Sequence, residues 1–289
     1  MGSKRVHDLW DTLIHSPIIT GLSWSPIVYQ AFERNRNVIS PPSGSALSES
    51  DSLPLLTLHL RRGDYADHCV ALATYNSAYT GQNSFPELVV RDKFVVPQVI
   101  KGYSTNDQVN LQKKPGDPPI VSSEEEKIKY YAKHCYPDIG QVVQRVREVV
   151  HDYETFVRDR SWWKWRSQKY KREDQESETW QRKRSASRKS VGNELLKRIY
   201  IMTNGDGELL QELKQALMDD AERSKTPGET NDWEFEWTWE GISTSRDLEL
   251  GWEEKPVGQV LDMYVGQRSE LFIGNGVSPQ VDLVKFKVN

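Results

Sequence analysis

Three short apolar segments restrict the folds open to this 289-residue chain. They are Leu53 to Leu60 (LPLLTLHL), Ile199 to Met202 (IYIM) and Leu271 to Gly274 (LFIG). Runs of this length that are apolar at nearly every position are typical of strands buried on both faces. Each run ends in a polar turn, and helical patterns stand between the runs. Strands that alternate with helices in this way predict an α/β fold with a parallel sheet.

Apolar residues three and four positions apart predict the helices. The clearest pattern begins at Ile139 and continues to Tyr153. Similar patterns lie at 25–35, 207–217 and 257–267. The segment Asp232 to Glu240 (DWEFEWTWE) instead alternates aromatic and polar residues, and this period of two predicts a strand with one aromatic face.

The hydrophobic fraction, 37%, is low because one long stretch is very polar. Residues 158–198 contain fourteen Lys or Arg against six Asp or Glu, with several Trp among them. This composition predicts a charged insertion outside the core. The alternative is a module that binds nucleic acid or a partner through basic and aromatic side chains. The net charge of −4 for the whole chain argues against nucleic acid.

Neither a membrane span nor a dense disulfide scaffold fits this sequence. No segment reaches the run of about 18 apolar residues that spans a bilayer, and the first eleven residues lack a signal-peptide core. The two cysteines, Cys69 and Cys135, are too few for a disulfide scaffold or a Cys-built zinc site. They leave room for one disulfide if the compartment is oxidising.

The first candidate site follows the first apolar run, in the segment HLRRGD that contains His59, Arg61, Arg62 and Asp64. Ligands of open α/β sheets bind beyond the carboxyl ends of the strands. The planar guanidinium group of Arg bonds two phosphate oxygens at once. Because consecutive side chains point in opposite directions, one Arg is expected to face a cleft while the other pairs with Asp64 or with solvent. A solvated cluster of surface charges is the alternative.

Two further turns join an apolar run to a predicted helix start. Asn204 follows the run IYIM, and Asn275 to Ser278 follow the run LFIG. The free N–H groups at a helix start attract phosphate, although a capped helix with nothing bound has the same pattern. Since no Asp-x-Asp occurs, we expect no acidic metal clamp and no metal site.

Three blocks in order, LTLHLRRGDYADHC, IYIMTN and QVLDMYVGQRSELFIGNGVS, resemble the GDP-fucose protein O-fucosyltransferase superfamily in its fungal form. The resemblance implies a GT-B enzyme with two facing Rossmann-like domains and GDP-fucose in the cleft between them. It implies inverting transfer of fucose to a hydroxyl acceptor, such as a protein Ser or Thr, without metal or other cofactor. It also implies that the protein works in the lumen of the ER or Golgi, where the two cysteines would be able to pair.

The resemblance assigns roles to four residues. Arg61 matches the catalytic Arg that holds the β-phosphate, and His59 matches its neighbour that contacts the nucleotide. Asp262 matches the acidic residue on the guanine side, and Ser278 matches the loop residue at the phosphates. The further candidates are Arg62, Asp64, Asn204 and Asn275.

Two domains are expected from this comparison. Residues 53–289 would form the nucleotide-binding Rossmann-like domain, interrupted by the insertion 158–198. Residues 1–52 would be the remnant of an acceptor-side domain, because the Gly-rich turn that opens this domain in the family is missing. We therefore expect a chain that lacks its N-terminal part and its targeting segment. A catalytically inactive remnant is the alternative.

Overall fold

The computed structural model describes residues 9, 12, 15–17, 21, 23–40, 52–63, 65–78, 94–102, 117–169, 196–225 and 236–274. For residues 156 and 158–169 it describes the helical backbone alone. The helices of these regions are α1 (Pro26–Arg34), α2 (Arg36–Ile39), α3 (Tyr65–Thr74), α4 (Glu124–Cys135), α5 (Ile139–Lys169), α6 (Gly207–Ser224) and α7 (Gly258–Arg268). The strands are β1 (Leu53–Leu60), β2 (Gln98–Val99), β3 (Ile120–Val121), β4 (Arg198–Thr203), β5 (Gly241–Thr244) and β6 (Ser269–Gly274).

The main sheet has four strands in the order β5-β4-β1-β6, and every neighbouring pair is parallel. The three predicted runs form β1, β4 and β6, so the predicted α/β fold with a parallel sheet is confirmed. Among these four strands the order is third, second, first, fourth along the chain. This matches the order of the first four strands of a Rossmann fold, 3-2-1-4.

Both faces of the sheet are covered by helices. Alternate residues of β1 point to opposite faces, so Leu56 and Leu58 pack under α5 and α6 whereas Leu53 and Leu55 pack under α1 and α7. The apolar stripe predicted from Ile139 to Tyr153 supplies the α5 side of the first core. The carboxyl edge of the sheet is thereby held between two helical layers.

Helix α1 belongs to the second of these cores. Its buried residues Val28, Ala31 and Phe32 share that core with Leu55 of β1 and Tyr264 of α7. The described residues 24–39 therefore pack as a layer on the sheet. The division into two domains at residue 52 stays a prediction, and so does the insertion: α5 continues to Lys169, while residues 170–195 lie outside the described regions.

The aromatic strand expected at Asp232 to Glu240 is wrong in its described part. Glu236 forms an isolated bridge, and the strand β5 begins only at Gly241. The indoles of Trp237 and Trp239 are buried in the α5–α6 core. The backbone N–H of Trp237 donates to the Ser224 hydroxyl at 3.1 Å, and that hydroxyl contacts the Trp237 carbonyl at 3.3 Å. Burial of the aromatic face here takes place without a strand ladder.

The segment between β1 and α5 adds the antiparallel helix pair α3–α4 and the short sheet β2–β3. Ala73, Phe94 and Tyr131 form a small separate core inside it. Cys69 of α3 and Cys135 of α4 form a disulfide, with 5.9 Å between their Cα atoms. Within the described residues, no helix is long and apolar enough to cross a membrane.

Candidate functional site

His59 and Arg61 lie where the strand order of the sheet reverses. The strands β4 and β5 lie on one side of β1, and β6 lies on the other. His59 is flanked in register by Met202 of β4 and Gly274 of β6, the last residue of its strand. Where successive connections leave a parallel sheet on opposite sides, a crevice opens at the carboxyl edge and is the usual ligand position.

The imidazole of His59 is partly buried in this position. Burial lowers the pKa of His59 below its ordinary value of 6.5, and the neighbouring charge of Arg61 lowers the pKa further. Its Nδ1 atom is buried and makes no hydrogen bond with any described residue. A neutral imidazole has one N–H donor and one acceptor, and the buried Nδ1 is one of these two atoms.

Arg61 extends beyond the end of β1 towards helix α3. Its guanidinium carbon lies 5.7 Å from the centroid of the Tyr65 ring, at the first residue of α3. Burial raises the pKa of Tyr65, and the opposite influence of the Arg61 charge is smaller. Arg61 is thus a partly exposed cation resting on a neutral ring, and a guanidinium so placed is suited to bind phosphate oxygens.

Arg62 behaves differently from the expectation for the second Arg. Its side chain is buried, with 4% of its surface exposed, so the predicted pairing with solvent is wrong. Its Nη2 donates to the carbonyl oxygen of Pro137 at 2.5 Å, and its guanidinium lies 4.4 Å from the Tyr136 ring. Asp64, the other predicted partner, lies outside the described residues. Arg62 ties the end of β1 to the α4–α5 connection.

Asn204 joins the ends of two neighbouring strands. Its amide nitrogen donates to the Arg62 carbonyl at 2.9 Å, and its oxygen accepts from the Arg62 N–H at 2.6 Å. Directly after Arg62 the chain turns at Gly63, whose φ of 68° favours glycine. Contact of Asn204 with a ligand stays a prediction, while its contacts in the structure hold the turn after β1.

Asp262 of α7 lies under the neighbouring strands β4 and β5. Its carboxylate accepts a hydrogen bond from the Tyr200 hydroxyl at 2.7 Å and lies 2.9 Å and 3.0 Å from the Ser245 hydroxyl. Burial raises the pKa of Asp262, and the hydrogen bonds from Tyr200 and Ser245 oppose this rise. The two hydroxyls leave acceptor capacity on a carboxylate, which has about four lone-pair positions.

A cavity of about 350 Å³ opens above this carboxylate. Its lining comes from the end of β4, the segment between β5 and α7, and the first turns of α7, and comprises Thr203, Ser245, Arg246, Leu248, Leu250, Lys255, Gly258, Gln259 and Asp262. The volume is within the usual range for small-ligand sites. The lining contains two exposed cations, Arg246 and Lys255, and one partly buried carboxylate, that of Asp262. The cavity therefore suits a ligand that combines hydrogen-bond donors with negative charge.

Sequence reasoning missed Ser245, Arg246 and Lys255. The signal was the segment TSRD, in which Thr244 and Asp247 form a capping box. The Thr244 N–H donates to the Asp247 carboxylate at 2.8 Å and fixes a 3₁₀ turn at the carboxyl end of β5. A polar turn held in this way after a strand marks the ligand edge of a parallel sheet.

The predicted residues Asn275 and Ser278 follow β6 and lie outside the described residues. In the described regions, no group of three His, Cys, Asp or Glu side chains is placed to hold a metal ion. Comparison of the chain with models of protein families, with curated proteins and with solved structures finds no match.

Proposed function

We propose that this protein is a glycosyltransferase that binds GDP-fucose at the carboxyl edge of its sheet and transfers fucose to a hydroxyl acceptor. The observation that carries the proposal is the position of His59 and Arg61 at the end of β1, where the strand order reverses. Rossmann-type halves bind the diphosphate of their ligand beside the turn after the first strand. The resemblance of the sequence blocks to the fucosyltransferase superfamily supports the choice of donor.

Two neighbouring parts of the carboxyl edge would bind different parts of the nucleotide. Arg61 and the N–H of His59 would bind the diphosphate beside β1 and β6. The cavity above β4 and β5 would take the base. Guanine has adjacent N–H groups that would donate hydrogen bonds to the Asp262 carboxylate. The segment from Asn275 to Ser278 begins directly after β6, so it starts on the diphosphate side of the edge.

Arg61 would lower the barrier of the transfer step. As the bond between fucose C1 and the β-phosphate oxygen breaks, negative charge grows on the departing GDP. The acceptor oxygen forms the new bond from the opposite face of the sugar, and its proton passes to the departing diphosphate or to water. A fixed guanidinium beside the diphosphate stabilises the growing charge, and removal of one such donor commonly costs about 10²–10³ in rate.

The family resemblance extends the proposal to the acceptor and the compartment. A protein Ser or Thr would be the acceptor, and a second Rossmann-like domain of a GT-B enzyme would bind it. The Cys69–Cys135 disulfide is in keeping with the oxidising lumen of the ER or Golgi.

Binding of GDP tests the site directly. We expect calorimetry to detect GDP binding to the 289-residue chain and expect Arg61→Ala to weaken that binding at least about 10-fold, since one charge-assisted contact is worth about 1.5–3 kcal/mol. Arg36→Ala is the matched control because Arg36 lies on α2 and pairs with Glu33 at 3.1 Å. Absence of GDP binding, or equal effects of the two substitutions, would contradict the proposal.

Turnover separates an active enzyme from an inactive remnant. Release of GDP from GDP-fucose in the presence of Ser- or Thr-containing peptides should depend on Arg61. A chain that binds GDP but does not cleave GDP-fucose would instead be a catalytically inactive remnant of this fold.

A further inference from the structure

Two consecutive arginines at the end of β1 rest on two different tyrosines. Arg61 lies over Tyr65 at the start of α3, and Arg62 lies over Tyr136 just after α4. Arg62 is also bonded to the Pro137 carbonyl and is buried, so the end of α4 is attached to the sheet through it. Arg61 instead contacts the first residue of α3 through the Tyr65 ring.

The Cys69–Cys135 disulfide links these two places. Cys69 follows Tyr65 by four residues, one helical turn further along the same face of α3. Cys135 directly precedes Tyr136. The covalent bond therefore connects the helix turn that carries the Arg61 ring contact to the chain segment that Arg62 anchors.

The opposite end of the helix pair has its own contacts. Lys127 of α4 donates to the Asn76 side chain at 3.1 Å, and the Tyr131 hydroxyl donates to the Ser77 carbonyl at 2.8 Å. The small core around Phe94 and Tyr131 lies nearer the disulfide, because the Phe94 ring also contacts His134, the residue before Cys135, at 5.1 Å between ring centroids. The two hydrogen bonds do not involve the disulfide, so the pair keeps this end together when the disulfide is opened.

The connection from β1 to α3 contains a residue suited to act as a pivot. Gly63 has a φ of 68°, and only one residue separates it from Tyr65. A start of α3 that is released from α4 is able to rotate about Gly63 and carry the Tyr65 ring away from Arg61.

From this arrangement we infer that the Cys69–Cys135 disulfide and Tyr65 are positioning residues that hold Arg61 at the crevice, so that opening the disulfide weakens diphosphate binding while the main sheet stays folded. The effect on a diphosphate rests on the proposed function, whereas the effect on Arg61 does not. Dithiothreitol opens the bond by supplying two electrons and two protons to give two thiols, and itself closes to a cyclic disulfide.

The test compares variants by two measurements. Calorimetry with GDP gives affinity, and NMR of the imidazole gives the pKa of His59 without any ligand. In Cys69→Ala/Cys135→Ala, and in the reduced wild type, we expect the His59 pKa to rise part of the way towards 6.5 as the charge of Arg61 moves away, while the larger lowering caused by burial remains because the sheet stays folded. We expect GDP affinity to fall about 3- to 10-fold, the scale of one lost cation–ring contact.

Tyr65 and Phe94 provide the matched controls. Tyr65→Phe keeps a ring beneath Arg61 and should leave GDP affinity unchanged, whereas Tyr65→Ala should weaken it as much as loss of the disulfide. Phe94→Leu loosens the same helix pair with the disulfide intact and should change neither the His59 pKa nor GDP affinity. Tyr65→Ala tests the position of Arg61 even if the double Cys variant does not fold.

Two results would overturn the inference. One is an unchanged His59 pKa in the folded Cys variant or the reduced protein. The other is an equal effect of Phe94→Leu, which would make the disulfide a general stabiliser of the helix pair. If oxidised wild type fails to bind GDP, the proposed function is wrong, and the His59 pKa still decides the position of Arg61.

Discussion

His59 makes the stability of the protein depend on pH. Burial, together with the charge of Arg61, lowers the pKa of its imidazole below 6.5. The unfolded chain therefore takes up this proton at a higher pH than the folded chain. We expect the free energy of unfolding to fall as pH falls from 6.5 through the folded-state pKa, by up to about 1.4 kcal/mol for each pH unit between the two values.

Urea unfolding on both sides of pH 6.5 measures this loss, and His59→Gln removes the group responsible. Asp262 has a raised pKa, so its contribution is present at low pH and is lost as pH rises through its folded-state value. The comparison between wild type and His59→Gln cancels that contribution. Equal losses of stability in the two proteins would show that His59 is not perturbed.

At this scale the sequence predicts positions better than roles. His59 and Arg61 are found at the carboxyl end of β1 because an apolar run of eight residues leaves little choice about where the strand stops. The role of Arg62 depends on Pro137, which is 75 residues away in the chain. No local pattern shows that contact, and the burial of Arg62 was consequently missed.

Helices α5 and α6 are joined by an ion pair between Arg147 and Asp220, in which the carboxylate is buried and the guanidinium is partly exposed. Arg147 donates through Nε to Asp220 at 3.3 Å and makes a second contact through Nη2. The Asp220 side chain is 3% exposed and the Arg147 side chain is 27% exposed. Loss of the Arg leaves a carboxylate buried, with the mostly exposed Arg223 at 4.0 Å as partial compensation.

We therefore expect Arg147→Met to destabilise the protein by about 3 kcal/mol. Asp220→Asn leaves a cation that is able to reach water and should cost only about 1 kcal/mol. Urea unfolding of both variants at one pH gives the comparison. A larger loss for Asp220→Asn would contradict the account of this pair.

Elements with strong periodicity were predicted, and those defined by distant contacts were not. The runs that became β1, β4 and β6 are apolar because both of their faces are covered by helices. The alternating tryptophans led to a wrong strand prediction. Trp237 and Trp239 are buried in the α5–α6 core, and the Trp237 N–H donates a hydrogen bond to the Ser224 hydroxyl where a neighbouring strand would otherwise accept it. Helix α4 was missed, although the segment SSEEEK places the capping residue Ser123 before three acidic residues.

At the scale of the whole molecule, the order of the four strands in the main sheet could not be predicted from the sequence. A parallel sheet follows from alternating strands and helices, but the order depends on which face each connecting helix covers. Helices α5 and α6 cover one face, α1 and α7 cover the other, and the chain crosses β1 before it enters β6. That crossing brings the ends of β1 and β6 together, and Asp262 lies beneath the same edge through its bond to Tyr200.

A crystal structure of the 289-residue chain with GDP tests the central claim most directly. We predict that the diphosphate lies beside the ends of β1 and β6, within hydrogen-bonding distance of Arg61 and His59. The base should occupy the cavity above Asp262. GDP bound elsewhere, or a diphosphate that contacts neither Arg61 nor His59, would contradict the assignment of this edge as the nucleotide site.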